Sequence, residues 1–410
     1  MPDAASRSAT SVGEIRLGRL GFGQIVSWGT LFYSFPLIAV PMSHDLGVSK
    51  VEAYGAASLG LISGGLAAIP VGRLIDLGYG RAVMTAGAVF AASMLWAWSR
   101  ITTSDALLLL FVGIGIAQAT CLYEPAFAVL ARRFGPDARD AITRLTLWGG
   151  FASTVFVPIT QGLLIQCGWR QTLVILALVQ LVAAAGSNAL AIAPDAPLPR
   201  RAPAPDSNWS SAARRMFASP VFWILAVVFT LYFGAFSALT LHLYPLLTER
   251  GIAPQTIVLV IALIGPAQVL GRVMLWKLAS TLPIRPVGIF TLASLCAGLV
   301  LLYVAGASVP ALVAFGLIYG AANGVITIVR GLVVPEMLST RDYGSINGLL
   351  AAPSLVAKAL APLTAAWIWS AGDGYAAVLQ VVLACSLLGL LGFAAAAVLS
   401  RGATHIDRST

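Results

Sequence analysis

Three charged residues lie inside long apolar stretches of the chain: Arg272, Lys358 and Glu124. A charge at the centre of a membrane helix costs about 2.5–3.5 kcal/mol on insertion scales, so it persists where a cavity, a partner or a bound ion compensates it. A guanidinium is a planar fork that matches a carboxylate. Lys358 has no acidic residue within two helical turns along the chain. Two cations facing one cavity would therefore favour a small carboxylate or dicarboxylate.

Each of these three residues also has a structural interpretation. Arg272 resembles a loop arginine, although Lys277 and Arg285 already occupy the loop positions. Lys358 would be neutralised if it paired with Glu124. Glu124 itself either carries a coupling proton or neutralises Lys358 or Arg330. The sequence leaves these alternatives open.

Polar and aromatic residues on neighbouring apolar stretches would line the same cavity. The candidates for solute binding are Tyr33, Gln118, Tyr123 and Asn323, although such residues often serve in helix packing instead. His242 is predicted to lie at a membrane interface. The sequence shows no nucleotide-binding loop, metal cluster or catalytic triad, so we expect no enzyme activity, no cofactor and no metal.

The composition is typical of a membrane protein. Of the 410 residues, 59% are hydrophobic and 10% are charged, against roughly 25% charged in soluble domains. The core of a soluble domain does not grow beyond ~300 residues, so a soluble fold could not bury this much apolar surface. We therefore expect the apolar surface to face lipid. The pI is about 9.7, but the basic residues are scattered in short loops, and we expect no nucleic-acid partner. The first eighteen residues contain no apolar run, so no cleavable signal peptide is expected.

Twelve apolar runs are long enough to cross a bilayer, which needs about 20 residues per helix. In lipid, an α-helix satisfies its backbone hydrogen bonds within one segment, whereas β-strands must close into a barrel to do so. The predicted spans are residues 20–42, 53–75, 82–99, 106–131, 141–166, 170–193, 221–248, 255–279, 286–306, 310–334, 343–370 and 374–399.

The distribution of Lys and Arg predicts the orientation. Nineteen of the 25 fall in the termini and in the loops that would be cytoplasmic, and four fall in the opposite loops: Lys50, Arg100, Arg170 and Arg250. This asymmetry predicts that both termini are cytoplasmic.

One long loop divides the spans into two sets of six. The predicted organisation is a bundle at 1–193, a cytoplasmic linker at 194–220 with a Pro-rich centre, a bundle at 221–400 and a tail at 401–410. Equal halves indicate an internal repeat of the kind found in transporters. The predicted fold class is therefore an all-α membrane protein with twelve transmembrane helices in two pseudo-symmetric six-helix bundles.

The loop at residues 72–81 has the sequence GRLIDLGYGR. It resembles the signature loop between helices two and three of the major facilitator superfamily, G-x-L-x-D-R-x-G-R-[RK], at Gly72, Leu74, Asp76 and Arg81. The central Arg is replaced by Leu77, and the second Gly comes one place late. Asp76 can accept charge-assisted bonds from basic groups or a helix N-terminus, so Gly72, Asp76 and Arg81 are predicted to form a conformational latch.

Further segments are similar to the monocarboxylate-transporter and oxalate:formate-antiporter branch of that superfamily. They are residues 21–30, Gly168-Trp169-Arg170 and the Tyr343-Gly344 pair. In the oxalate:formate antiporter, an Arg on helix eight and a Lys on helix eleven hold the substrate dianion. This resemblance implies that role for Arg272 and Lys358. A G-P-x-x-G-G run in span five, typical of multidrug antiporters, is absent.

The sequence thus predicts a secondary transporter for a small organic anion, operating by proton symport or anion exchange. We expect it to be a monomer in a cell membrane, namely the inner membrane of a bacterium. The alternatives are a carrier or efflux pump for a drug, sugar or amino acid, and a sensor on the same fold that binds a ligand without transporting it.

Overall fold

A computed structural model describes residues 15–134, 138–193, 216–278, 282–338, 343–372 and 374–406. Residues 194–215 of the predicted linker and residues 407–410 of the predicted tail lie outside these ranges. The described residues are almost entirely helical and contain no β-strand.

The helices follow the predicted spans, and several of them are interrupted. Their bounds are Leu17–Trp28, Phe35–Leu46, Lys50–Leu74, Gly80–Trp98, Ser104–Cys121, Tyr123–Phe134, Ala138–Gly149, Ala152–Val179, Gly186–Ala191, Pro220–Glu249, Pro254–Leu278, Ile284–Val304, Val309–Val333, Tyr343–Ala371 and Tyr375–Ile406. Wider π-helical turns continue four of them at Gly29–Tyr33, Ile75–Tyr79, Gln180–Ala185 and Val334–Leu338.

Eleven helices in the described residues are long and apolar enough to cross a membrane. One of them, Arg144–Ala191, has 48 residues and would measure about 72 Å as a straight helix, more than twice the ~30 Å of a bilayer core. Gly168, with φ 71° and ψ 174°, interrupts it. This helix therefore contains the predicted spans five and six, and the eleven helices correspond to the twelve predicted spans.

The interruption at Gly168 is fixed by the two residues that follow it. Arg170 donates hydrogen bonds to the carbonyl oxygens of Ser99 and Ile101 at 3.0 and 2.9 Å, and it pairs with Asp45 at 3.0 Å. The Trp169 indole also donates to Asp45, at 3.3 Å. The Gly-Trp-Arg segment thus joins the end of span one to the residues that follow span three.

The chain folds into two compact units. The first comprises Met1–Val48 and Leu59–Arg201, and the second comprises Ser49–Ser58 and Ala202–Thr410. The short segment Ser49–Ser58, which contains the start of span two, thus belongs to the second unit. Nothing in the hydropathy pattern distinguishes it from the rest of that span.

Glycines allow spans two and four to approach closely in the first unit. A Cβ on Gly60 would lie 2.9 Å from the Phe111 carbonyl oxygen, and one on Gly64 would lie 2.8 Å from that of Gly115. Ser63 donates to the Val112 carbonyl across the same contact, at 3.0 Å. Small residues drive helix association in lipid through such close packing.

Spans eight and ten pack in the same way in the second unit. Cβ atoms on Gly271 and Gly324 would overlap the backbone of Ala321 and Gln268 respectively. A Cβ on Gly320 would lie 2.7 Å from the Ile264 carbonyl oxygen. Spans two and four thus have their counterparts in spans eight and ten, which is the pairing that an internal repeat predicts.

Candidate solute site

Arg272 lies in a polar cluster at which spans seven, eight and ten meet. Its side chain is half-buried, and Nε donates to the Gly324 carbonyl oxygen at 3.1 Å. Next to Gly324, the Asn323 side-chain oxygen accepts a 2.7 Å hydrogen bond from Tyr232. Arg272 also interacts electrostatically with Tyr232. The structure therefore brings Arg272 and Asn323 together, and Tyr232 is an additional member of the cluster.

Lys358 lies beside a weakened turn of span eleven. Pro362, four residues later, has no N–H, so the Lys358 carbonyl loses its usual helical donor. Ser237 of span seven donates to this carbonyl instead, at 2.8 Å. The Lys358 side chain is half-buried, and it has no acidic partner in the part of the chain that the structure describes.

Span seven connects these two cations. Tyr232 contacts the Arg272 cluster, and Ser237 contacts the turn at Lys358. The two positions are five residues apart, a rise of about 7.5 Å along a helix. Arg272 of span eight and Lys358 of span eleven thus both lie next to span seven, at neighbouring levels along it. Each has a backbone contact that fixes its place in the second unit.

Span four is broken beside Glu124. Its first helix ends at Cys121 and the second begins at Tyr123, with Leu122 between them at φ −87° and ψ −152°. Pro125 removes the donor of the Cys121 carbonyl, and Gln24 of span one replaces it at 2.9 Å. Glu124 lies in the first turn of the second helix. The positive end of that helix dipole favours a carboxylate there.

The Glu124 side chain is exposed. Among the described residues of the first unit it forms no ion pair. Its neighbour Tyr123 stacks on Phe127 and lies against Trp28, with ring centroids 5.0 Å apart in both cases. The Tyr123 hydroxyl donates to the Thr146 carbonyl at 3.3 Å.

Tyr33 is the last residue of the widened turn of span one, and Gln118 of span four contacts the same turn. Tyr33 is half-buried, 6.4 Å from the Trp28 ring and 5.4 Å from the Phe32 ring. Gln118 donates to the Leu31 carbonyl at 2.9 Å. Gln118 and Tyr123 of span four therefore lie against the stretch of span one that contains Tyr33. The Gln118 amide nitrogen is used to hold that stretch.

The predicted latch lies in the turn after span two. Gly72 is still helical, and a methyl group placed on it would meet no described atom within 4 Å. The glycine that makes the turn is Gly78, with φ 101°. Arg81 is half-buried near the start of span three. The Asp76 side chain lies outside the described part, so the latch remains a prediction.

Sequence reasoning missed a network around His242. The prediction that this residue is interfacial is wrong, because its side chain has no exposed surface and both ring nitrogens have partners. Its partners are Tyr375, Pro362 and Tyr54, which come from three other spans. The available signal was the pairing of a lone histidine with aromatic residues at the ends of spans two and twelve.

Comparison with known proteins identifies the family. A model of the Major Facilitator Superfamily matches residues 20–306, which is well over half of the chain. The chain belongs to the major facilitator superfamily. It is therefore a multi-pass membrane transporter and not an enzyme, as the sequence predicts.

Similar members of the superfamily include proteins named for monocarboxylates. Monocarboxylate transporter 13 of Bos taurus is 27% identical over 360 residues, covering 82% of this chain and 78% of the relative. The protein of that name from Rattus norvegicus is 27% identical over 355 residues with the same coverage. Monocarboxylate transporter 11 of Homo sapiens is 29% identical over 203 residues, covering 48% of this chain and 41% of the relative.

Solved structures share the fold at lower identity. A bacterial homologue of the human lysosomal transporter Spinster superposes with a TM-score of 0.68, at 15% identity, over 94% of this chain and 96% of that one. The nucleoside transporter NupG superposes with a TM-score of 0.70, at 16% identity, over 93% and 98%. These superpositions show that the chain shares its fold with both transporters.

Proposed function

We propose that this transporter carries a small organic anion, a mono- or dicarboxylate, by alternating access. The observation that carries the proposal is a pair of half-buried cations, Arg272 and Lys358, which both lie next to span seven in the second unit. Lys358 has no acidic partner among the described residues, so an anion would compensate a charge that is otherwise costly in a membrane. The names of the similar monocarboxylate transporters support the same class of solute.

Transport requires that the solute change the relative stability of the two states through different contacts in each. The anion would offset the mutual repulsion of Arg272 and Lys358 and so favour the state in which both contact it. Tyr33, Gln118, Tyr123 and Asn323 would complete the site, and Gly72, Asp76 and Arg81 would form the latch. The protein would work as a monomer in a bacterial inner membrane with both termini cytoplasmic, as its basic loops suggest.

A thermal-shift screen of the purified protein tests the solute class. Mono- and dicarboxylates are compared with neutral and cationic compounds of similar size. A ligand at 100 times its Kd stabilises the protein that binds it by about 2.7 kcal/mol. We expect a rise in Tm with carboxylates. A rise only with neutral or cationic compounds would contradict the proposal and favour a carrier of a drug, sugar or amino acid.

Glu124 is the proposed carrier of a coupling proton. We expect Glu124→Gln to lose uphill, proton-driven uptake, because an amide cannot bind and release a proton as a carboxyl group does. Exchange of labelled for unlabelled solute should continue, because exchange returns the carrier without net proton movement. Uptake and exchange in liposomes, with and without a pH gradient, measure the two activities.

The matched control for this variant is Asp105→Asn. Asp105 also lies in the first turn of a helix of span four, and it is exposed. This variant should leave both activities unchanged. Equal loss of exchange and uptake in Glu124→Gln would show instead that Glu124 maintains the structure of the carrier.

A further inference from the structure

The buried His242 network lies in the second unit, ten residues along span seven from Tyr232 of the Arg272 cluster. The His242 side chain has no exposed surface. Its Nε2 lies 2.9 Å from the Pro362 carbonyl oxygen, and its Nδ1 lies 2.9 Å from the Tyr375 hydroxyl. Both nitrogens of the imidazole therefore have hydrogen-bond partners, contributed by spans eleven and twelve.

The chemistry of these two partners allows the ring to be neutral or charged. A carbonyl oxygen can only accept, so Nε2 carries a hydrogen in either form. A tyrosine hydroxyl both donates and accepts. It can donate to Nδ1 of the neutral ring, or rotate and accept from Nδ1–H of the imidazolium. His242 can therefore gain a proton without losing either hydrogen bond.

The segment Ser49–Ser58 docks on this histidine. The Tyr54 ring stacks on the imidazole with centroids 3.8 Å apart and planes at 22°. The Tyr54 hydroxyl donates to the Leu241 carbonyl at 3.0 Å. Ser58 accepts a 3.0 Å hydrogen bond from the Leu363 backbone N–H. The face of the segment that carries these residues is buried.

The first residue of the helix in this segment brings a cation close to the histidine. Lys50 Nζ lies 3.8 Å from the Glu249 carboxylate, 3.4 Å from the Trp369 ring centroid and 4.6 Å from that of Tyr375. Lys50 also interacts electrostatically with His242. Tyr375 connects the two sites, because its hydroxyl contacts His242 while its ring lies under the ammonium.

The groups that face His242 can be taken one span at a time. Span two contributes Tyr54 and the cation of Lys50, span twelve contributes the Tyr375 hydroxyl, and span eleven contributes the carbonyl of Pro362. The nearby carboxylate is Glu249, at the end of span seven, and it already binds Lys50, Trp369 and the Tyr375 backbone. A proton on His242 would therefore place a second cation beside Lys50, with Glu249 already engaged.

We propose that His242 is a proton-binding site whose protonation releases the Ser49–Ser58 segment from the second unit. The neutral ring favours the docked segment, and the imidazolium repels Lys50 and favours release. By linkage, the docked fraction decreases as the pH falls below the ordinary pKa of an imidazole, about 6.5, which the released ring regains. This inference goes beyond the proposed solute, because none of its groups is among those proposed to bind the anion.

The small number of histidines makes the site directly observable. The chain has three: His44, His242 and His405. We would label histidine selectively with ¹³C and ¹⁵N in the full-length protein without added solute, and follow the imidazole signals by NMR from about pH 5 to 8. His44→Gln and His405→Gln assign the other two signals, so the titration of His242 can be read in the wild type.

Hydrogen exchange of the backbone amides in Ser49–Ser58 reports docking in the same samples. After correction for the intrinsic pH dependence of exchange, we expect protection to fall as the His242 signal titrates. In His242→Gln the amide can donate to Pro362 and accept from Tyr375, so the segment should stay docked at all these pH values. His44→Gln, at an exposed histidine, should behave as the wild type does.

Two results would overturn the proposal. One is a His242 signal that stays neutral throughout this pH range, and the other is a pH response of the segment that persists in His242→Gln. Both readouts are made without any solute and without altering Arg272 or Lys358. A failure of the carboxylate proposal therefore leaves this test intact, and the reverse also holds.

Discussion

Replacement of Lys358 by Met is expected to weaken carboxylate transport strongly while leaving the substrate-free protein at least as stable as the wild type. The side chains are similar in length, so packing is retained, but the ammonium that would contact the anion is lost. Hydrogen bonds to charged groups are worth about 1.5–3 kcal/mol, so affinity should fall by roughly ten- to a hundredfold. Thermal shifts with and without carboxylate, and uptake into liposomes, measure both effects.

The sign of the stability change separates the functional from the structural interpretation of Lys358. A charge without an acidic partner is a cost in the empty carrier, so its removal should raise Tm or leave it unchanged. If Lys358 were part of a structural ion pair, its removal would strand the partner and lower Tm. Lys277→Met is the matched control, because Lys277 is exposed at the end of span eight. A variant Lys358→Met with wild-type transport would exclude Lys358 from the site.

Two substitutions of Arg272 are expected to separate the contribution of its charge to anion binding from that of its planar shape. Arg272→Ala should weaken carboxylate binding by about a hundredfold, because it removes both the cation and the planar fork. Arg272→Lys retains the charge but not the paired donors, so a loss of about tenfold is expected. Ligand-dependent thermal shifts and the concentration dependence of uptake give these ratios. Arg73→Ala is the control, since Arg73 is exposed at the equivalent end of span two.

A double-mutant cycle of Arg272→Ala and Lys358→Met tests whether both residues contact the same anion. Two groups that bind one solute act as a unit, so their combined loss should be smaller than the product of the single losses. Multiplicative losses would indicate independent roles. Equal binding of carboxylates by the wild type and the double variant would place the solute site elsewhere.

Two prolines weaken helices next to the candidate residues, because each lacks the N–H that would bind the carbonyl four residues earlier. Pro125 frees the carbonyl of Cys121, and Pro362 frees that of Lys358. Gln24 of span one donates to the first and Ser237 of span seven donates to the second. Spans one and seven occupy equivalent places in the two predicted halves. Unwound or weakened helices of this kind are where transporters place binding groups.

The sequence predicted the membrane fold and the approximate spans because apolar length is a local property. It also placed Arg272 and Asn323 among the candidates, and the structure brings these two together in one cluster. Their connection through Tyr232 was not predicted, because it depends on how spans seven and ten rotate about their axes. The burial of His242 was missed for the same reason. A histidine near the end of a span is buried only if other spans cover it.

Three features of this protein can be read without any coordinates: the number of spans, the superfamily loop at residues 72–81 and the positions of the helix-weakening prolines. Each of these follows from local chemistry: apolar length, a short motif, and a missing N–H. The packing of the spans establishes which side chains replace the lost donors, which residues surround His242, and that Ser49–Ser58 belongs to the second unit. These outcomes depend on contacts between residues up to 305 positions apart. In lipid, where helices have no hydrophobic drive to associate, such contacts arise from the fit of small and polar faces.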